Sequence, residues 1–157
     1  MFLDAFFHRR ISGKVVDLVI ESFSLGNTVD FSICLAHSRV KVGDCDLRIG
    51  DTKEYYFAGN IGYRIYEPYR GHHYAYEACM LVMKYAYDTA GMRSVYITCS
   101  PENIASKKTI ERLGGEYVET VNVPSWHWLY IRGEKVKLIY RLDLDRNRSC
   151  TAPSGKA

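Results

Sequence analysis

Residues 59–86 read GNIGYRIYEPYRGHHYAYEACMLVMKYA and hold, in order, an alternating stretch, a proline, a basic turn and a long apolar run. Ile61, Tyr63 and Ile65 alternate with Asn60, Gly62 and Arg64, the period of a strand, expected over Gly59 to Tyr66. Pro68 stops it, because proline cannot donate to a sheet ladder. Tyr74 to Ala90 then reads as a helix ended by Gly91. Its charges, Glu77, Lys84 and Asp88, form one narrow polar stripe, so the helix is buried on most sides, as when it packs on a sheet.

Outward from this unit, Val15 to Phe23, Val29 to Ala36 and Val42 to Ile49 read as strands separated by turn signals. Residues Phe2 to Arg10 are expected to form a short helix. On the other side, Ser94 to Cys99 is a strand, and SPEN opens a second helix with Ser100 as N-cap and Pro101 in the first turn. That helix stops at Gly114-Gly115, and Glu116 to Val123 and Val136 to Leu144 supply the last strands. The order predicts one mixed α/β (α+β) domain over residues 1–145, with a polar, flexible tail over 146–157.

Composition bounds the function. The 157 residues suffice for one well-buried core. A net charge of +3, with dispersed lysines and arginines, argues against nucleic-acid binding, including base stacking on the 13 tyrosines. Five scattered cysteines without a CxxC read as free thiols of a reducing, cytoplasmic setting. No apolar run approaches the roughly 18 residues a membrane helix needs.

The heptapeptide YRGHHYA, residues 69–75, admits three readings: a metal site, a solvated turn, or an anion cradle. Adjacent His72 and His73 diverge in most backbone conformations, and no HxxxH or Cys/His cluster joins them, so no metal is expected. A strand end feeding a helix N-terminus leaves backbone N–H groups unpaired at the positive end of the helix dipole, and Arg70 adds a charged donor. A diphosphate is the natural ligand of such a turn. Neither GxxxxGK[ST] nor GxGxxG is present.

These residues, with VYITCSPENIASKKTIERLGG at 95–115, resemble the GNAT superfamily of acyl-CoA-dependent N-acetyltransferases. Arg70 and Ala75 match the family's pyrophosphate motif, with His73 where the middle glycine is usual; Asn103, Ser106, Leu113 and Gly114 match its second motif. The resemblance covers about residues 42 to 123. It implies a mostly antiparallel central sheet with flanking helices and a V-shaped opening that holds acetyl-CoA. Backbone groups of Tyr63, Arg64 and Ile65 would pair with the pantetheine arm. Arg70, Gly71, His72, His73, Tyr74 and Ala75 would hold the pyrophosphate, with Asn103 on the arm or acceptor and Lys107 or Lys108 near the 3′-phosphate. Backbone N–H groups near Ile65 and Tyr66, freed by a bulge, would receive the oxyanion.

The implied reaction is direct attack of a primary amine on the thioester. The acceptor stays open among small molecules and peptide N-termini. Two departures bear on it. Relatives place an acidic tyrosine seven residues after the asparagine, where this chain has Ile110; Tyr66 and Tyr117 are candidate substitutes. Glu67, Asp46 and His127 are the candidate bases, Glu67 first because it follows the reacting strand. Relatives also insert two helices where only SLGNT separates Phe23 from Val29, an abbreviated N-terminal helical region. The acceptor wall must then come from the N-terminal segment, a partner subunit in a homodimer, or the aromatic loop with Trp126, His127 and Trp128. A non-catalytic acyl-CoA-binding protein is the alternative reading.

Overall fold

A computed structural model describes residues 9–24 and 27–149. Five strands, β1 (Arg10–Ile11), β2 (Val16–Ser24), β3 (Thr28–Leu35), β4 (Lys41–Arg48) and β5 (Ile61–Ile65), form one antiparallel sheet in sequential order. A helix, α1 (Lys53–Ala58), lies between β4 and β5, and α2 (Tyr74–Asp88) follows β5. Then come β6 (Ser94–Cys99), α3 (Ile104–Arg112), β7 (Glu116–Asn122), a short α4 (Trp128–Ile131), β8 (Val136–Asp143) and α5 (Leu144–Ser149). Strands β6, β8 and β7 form a second antiparallel sheet in that order.

Alternation builds the core. Val16, Leu18, Ile20, Val29, Phe31, Ile33, Val42, Cys45 and Leu47 turn to one face of the first sheet. The apolar side of α2 packs there through Ala78, Cys79, Val82, Met83 and Ala86, and Tyr85 meets Phe31 edge to face. The opposite face carries Asp30, Asp44, Asp46 and Arg48 in cross-strand register. The β2–β3 ladder continues to Ser24↔Thr28, with no helix inserted between the strands.

The strands expected from sequence form within one or two residues of their bounds, and α2 ends at Asp88 rather than Ala90. The expected helix over Phe2 to Arg10 lies mostly outside the described residues; Arg10 itself is in β1, paired with Val19. The second helix is capped three residues later than expected. Asn103, not Ser100, accepts the Ser106 N–H through its side chain at 3.1 Å, and Pro101 sits in the preceding turn. Helix α5 crosses the expected tail boundary at 146.

The two sheets meet at Asn60, which is 2% exposed. Its N–H donates to the Tyr96 carbonyl (2.7 Å), and its Oδ1 accepts the Tyr96 N–H (2.8 Å). Its Nδ2 donates to the carbonyls of Arg48 and Gly50, both at 2.9 Å, and its own carbonyl accepts the Arg48 N–H. Gly59 beside it has φ 81°, and a Cβ there would crowd Thr98 N and Tyr96 O at 3.2 Å. From this clasp β5 and β6 separate without further pairing, giving the V-shaped opening.

Asn60→Ala removes three side-chain hydrogen bonds and strands a buried Tyr96 N–H. Urea unfolding is expected to show a loss of about 3 kcal/mol. A loss under about 1 kcal/mol would mean that the clasp does not hold the sheets together.

Candidate functional site

The site begins with the free edge of β5. Its register with β4 runs unbroken from Leu47↔Ile61 to Gly43↔Ile65. The Arg48 N–H donates to the Asn60 carbonyl and the Tyr66 N–H to that of Val42, so even-numbered positions spend their backbone groups on β4. By the antiparallel pattern, Ile61, Tyr63 and Ile65 direct N–H and C=O to the opposite edge, which faces the opening. The bulge expected near Ile65 and Tyr66 is therefore absent, and the Tyr66 N–H is already paired. A regular strand end supplies free donors at odd positions without one.

A cavity of about 560 Å³ lies against this edge, bounded by the turn after β5, the start of α2 and one face of α3. Arg64, Arg70, Lys108 and Arg112 line it, with no carboxylate among the lining residues. The Arg70 Nε donates to the Ile65 carbonyl (3.0 Å), and Arg112 lies over the Tyr76 ring at 4.1 Å. At the head of α2 the His73 carbonyl accepts the Glu77 N–H, leaving the first N–H groups of the helix without intrahelical partners. The result is a cation-lined concavity at a helix N-terminus, the chemistry that suits an anion.

His73 adopts the left-handed conformation (φ 61°, ψ 22°) as N-cap of α2 and makes no capping bond through its side chain. A glycine preference at this position therefore has a backbone cause as well as a ligand one. Two of the expected phosphate contacts fall elsewhere. Lys107 is off the cavity wall and Lys108 is on it, because Ala105, Lys108, Thr109 and Arg112 share the helical face that Lys107 leaves. His72 also lies off the wall, stacked on Tyr74.

A second cavity, about 270 Å³, adjoins the first. Ile61, Gly62 and Tyr63 form one side, and Thr98, Cys99 and Ser100 the other. Ala58, Leu129, Arg132, Glu134 and Lys137 close it. Helix α1, through Ala58, and the segment around α4, through Leu129 and Arg132, thus form part of its wall. Three residues, Tyr63, Asn103 and Ser106, line both cavities.

The catalytic candidates fare unequally. Tyr66 donates its hydroxyl to Asp44 Oδ2 (2.9 Å), within a cluster that includes Lys41 and Arg64, and lines neither cavity. Glu67 is exposed in the 3-10 turn Glu67–Tyr69, also off both walls. Tyr117 is exposed and shares a hydrogen bond with Thr120. His127 is 1% exposed: Nδ1 accepts the Leu129 N–H, so Nε2 carries the proton and donates to the Glu54 carbonyl at 3.0 Å. It caps α4 and cannot act as a base. Trp126 packs edge to face on Phe57, and Trp128 stacks on His127. Neither tryptophan lines either of these two cavities; Leu129 and Arg132 of the same segment line the second.

Asp46 remains. It sits over Gly62, its Oδ1 2.6 Å from where a Cβ there would stand, and its Oδ2 is 3.0 Å from Arg48 Nη2 but makes no hydrogen bond. Burial pushes its carboxyl above the usual range, only partly offset by Arg48. Gly62 and Arg48 both line the second cavity, so Asp46 stands behind its wall. Arg112, which no motif named, was reachable from sequence only through its helical phase with Lys108.

Residues 5–116 match the family described as Acetyltransferase (GNAT) domain. Among solved structures, an acetyltransferase from Agrobacterium tumefaciens is 24% identical, with 73% of this chain and 60% of that one covered and a TM-score of 0.55. The ribosomal-protein-S5-alanine acetyltransferase from Vibrio fischeri is 17% identical over 76% of this chain and 63% of its own, TM-score 0.61. A ribosomal L7/L12 alpha-N-protein acetyltransferase in complex with coenzyme A is 17% identical over 76% and 64%, TM-score 0.60. These are likenesses of fold, and the chain spans less than two thirds of each of those three proteins. No curated protein matches the sequence.

His73→Gly exchanges left-handed strain for the greater unfolded-state freedom of glycine. Unfolding free energy is expected to stay unchanged or rise by up to about 1 kcal/mol in urea titration. A fall of more than about 1 kcal/mol would show that the imidazole has a structural partner.

Proposed function

The chain belongs to the GNAT acetyltransferase family, and from that premise we propose that it transfers acetyl from acetyl-CoA to a primary amine by direct attack on the thioester. The observation that carries the reading is the junction of the two cavities at Tyr63, Asn103 and Ser106. One cavity offers cations, helix N–H groups and an open strand edge, which suit a diphosphate joined to an amide-containing arm. The other offers a small, mostly polar chamber for an acceptor. Donor and acceptor entering from opposite sides would meet at the shared residues, with the reacting atoms held close.

In this reading the diphosphate lies over Arg70 to Ala75, with Lys108 and Arg112 opposite. The pantetheine amides pair with the free groups of Tyr63 and Ile65, whose N–H groups are also the candidate oxyanion donors. Asn103 spends its Oδ1 on capping α3 and keeps its Nδ2 for a carbonyl of donor or acceptor. Asp46, behind Gly62 and Arg48, is the favoured acceptor of the ammonium proton. Peptide N-termini stand beside small amines as acceptors, since two structural neighbours act on ribosomal proteins. The buried free thiols Cys34, Cys45, Cys79 and Cys99 support a reducing, cytoplasmic setting.

A non-catalytic acyl-CoA-binding role has one observation in its favour: Tyr66 and His127 are hydrogen-bonded elsewhere, and Glu67 lies off both cavity walls. Thiol release from acetyl-CoA, measured against a panel of small amines and peptide N-termini, separates the readings. Amine-dependent release is expected, with acetyl-CoA binding by calorimetry that Arg112→Glu weakens about tenfold or more. Binding without release on any amine would support the non-catalytic role. Absence of both would end the proposal.

A further inference from the structure

Charge is unevenly placed around the second cavity. Arg48, Arg132 and Lys137 line it, against the single carboxylate of Glu134. Two of these cations are already compensated. Arg48 Nη2 is 3.0 Å from Asp46 Oδ2, and its Nη1 donates to the Gly59 carbonyl at 3.0 Å. Lys137 is buried, 7% exposed, and pairs with Glu134. Arg132 is exposed, its guanidinium carbon 5.5 Å from the centre of the Trp128 ring, and it joins no ion pair among the described residues. Glu134 lines the same wall two residues away, yet Lys137 holds it. The donors of Arg132 are thereby left for a ligand.

We propose that the acceptor is an amine that also carries a carboxylate, and that Arg132 is the specificity-determining residue that receives this carboxylate. The inference deepens the acetyltransferase reading and rests on it. A guanidinium meets a carboxylate with two parallel charge-assisted bonds, and the indole beneath it limits its excursions without cancelling its charge. At about 270 Å³ the cavity is smaller than the usual site of a drug-sized ligand and suits one residue-sized group. The amine would lie at the Tyr63–Asn103–Ser106 junction and the carboxylate toward Arg132.

The same charge excludes a different class of acceptor. A diamine or polyamine would bring a second ammonium against a wall whose uncompensated charge is already positive. Positive charge near the reacting nitrogen also disfavours its ammonium form, which raises the neutral fraction that attack requires. A free amino acid supplies the carboxylate at its α-carbon, and a peptide beginning with aspartate or glutamate supplies it on the first side chain.

The test measures thiol release by the full chain at saturating acetyl-CoA with matched acceptors, each rate corrected for the fraction of neutral amine. Glycine is set against glycinamide, a peptide amide beginning with glutamate against one beginning with glutamine, and putrescine serves as the dication. In at least one pair the carboxylate member is expected to be favoured about tenfold or more in kcat/KM, and that pair identifies the source. Putrescine should be slower than that member. Arg132→Glu should abolish or reverse the preference, chiefly through KM, and Arg132→Lys should keep part of it. Acetyl-CoA affinity by calorimetry and the melting temperature should not change in either variant. No preference in either pair, a preference that survives Arg132→Glu, or putrescine as the best acceptor would overturn the inference and leave the acetyltransferase reading intact. Lost acetyl-CoA affinity in Arg132→Glu would also overturn it, by placing Arg132 on the donor side. A wild-type protein that releases no thiol with any amine would overturn both.

Discussion

Asn60 sets the geometry on which the rest depends. One buried residue spends its backbone and side chain on both sheets: Arg48 and Gly50 on one side, Tyr96 on the other. That ties β5 to β6 at a single point. Beyond it β5 keeps its ladder with β4 and has no second strand partner, so the backbone of Tyr63 and the Ile65 N–H face an opening, while Arg70 holds the Ile65 carbonyl. An unpaired edge is ordinarily a liability. Here it is turned inward, between α2, α3 and the second sheet, where an extended ligand can complete it.

Charge placement follows the same division. The side of the opening near the head of α2 collects Arg70, Lys108 and Arg112 with no opposing carboxylate. The carboxylates of β3 and β4, Asp30, Asp44 and Asp46, occupy the sheet face away from α2, where each of the latter two has a cationic neighbour. With no helices between β2 and β3, that face must remain polar. The second cavity is closed from the side instead, by α1 and the segment from Leu129 to Lys137. His127 secures that segment to α1 through the Glu54 carbonyl.

Much of this was legible in the sequence because it rests on local chemistry. Alternation located the strands, the narrow polar stripe located α2, and an arginine-glycine turn before a buried helix pointed to the cation-lined cavity at its head. What escaped depends on contacts between distant segments. His127 and Trp126 look like site residues in a loop, yet they pack on α1, whose partners lie some 70 residues away. Tyr66 follows the reacting strand, but strand phase turns its hydroxyl to Asp44. Lys107 and Lys108 are indistinguishable by composition, and only the phase of α3 selects the second. Tyr63 was legible as backbone; that its hydroxyl is buried beside Ser106 and Thr109 was not.

The central claim is that the two cavities meet at Tyr63 and are filled from opposite sides. A crystal structure with coenzyme A tests it most directly. The account predicts the diphosphate over Arg70 to Ala75, pantetheine amides bonded to the backbone of Tyr63 and Ile65, and the thiol sulfur at the Tyr63–Asn103–Ser106 junction. Coenzyme A bound outside the opening, or with its sulfur directed away from the Tyr63–Asn103–Ser106 junction, would contradict it.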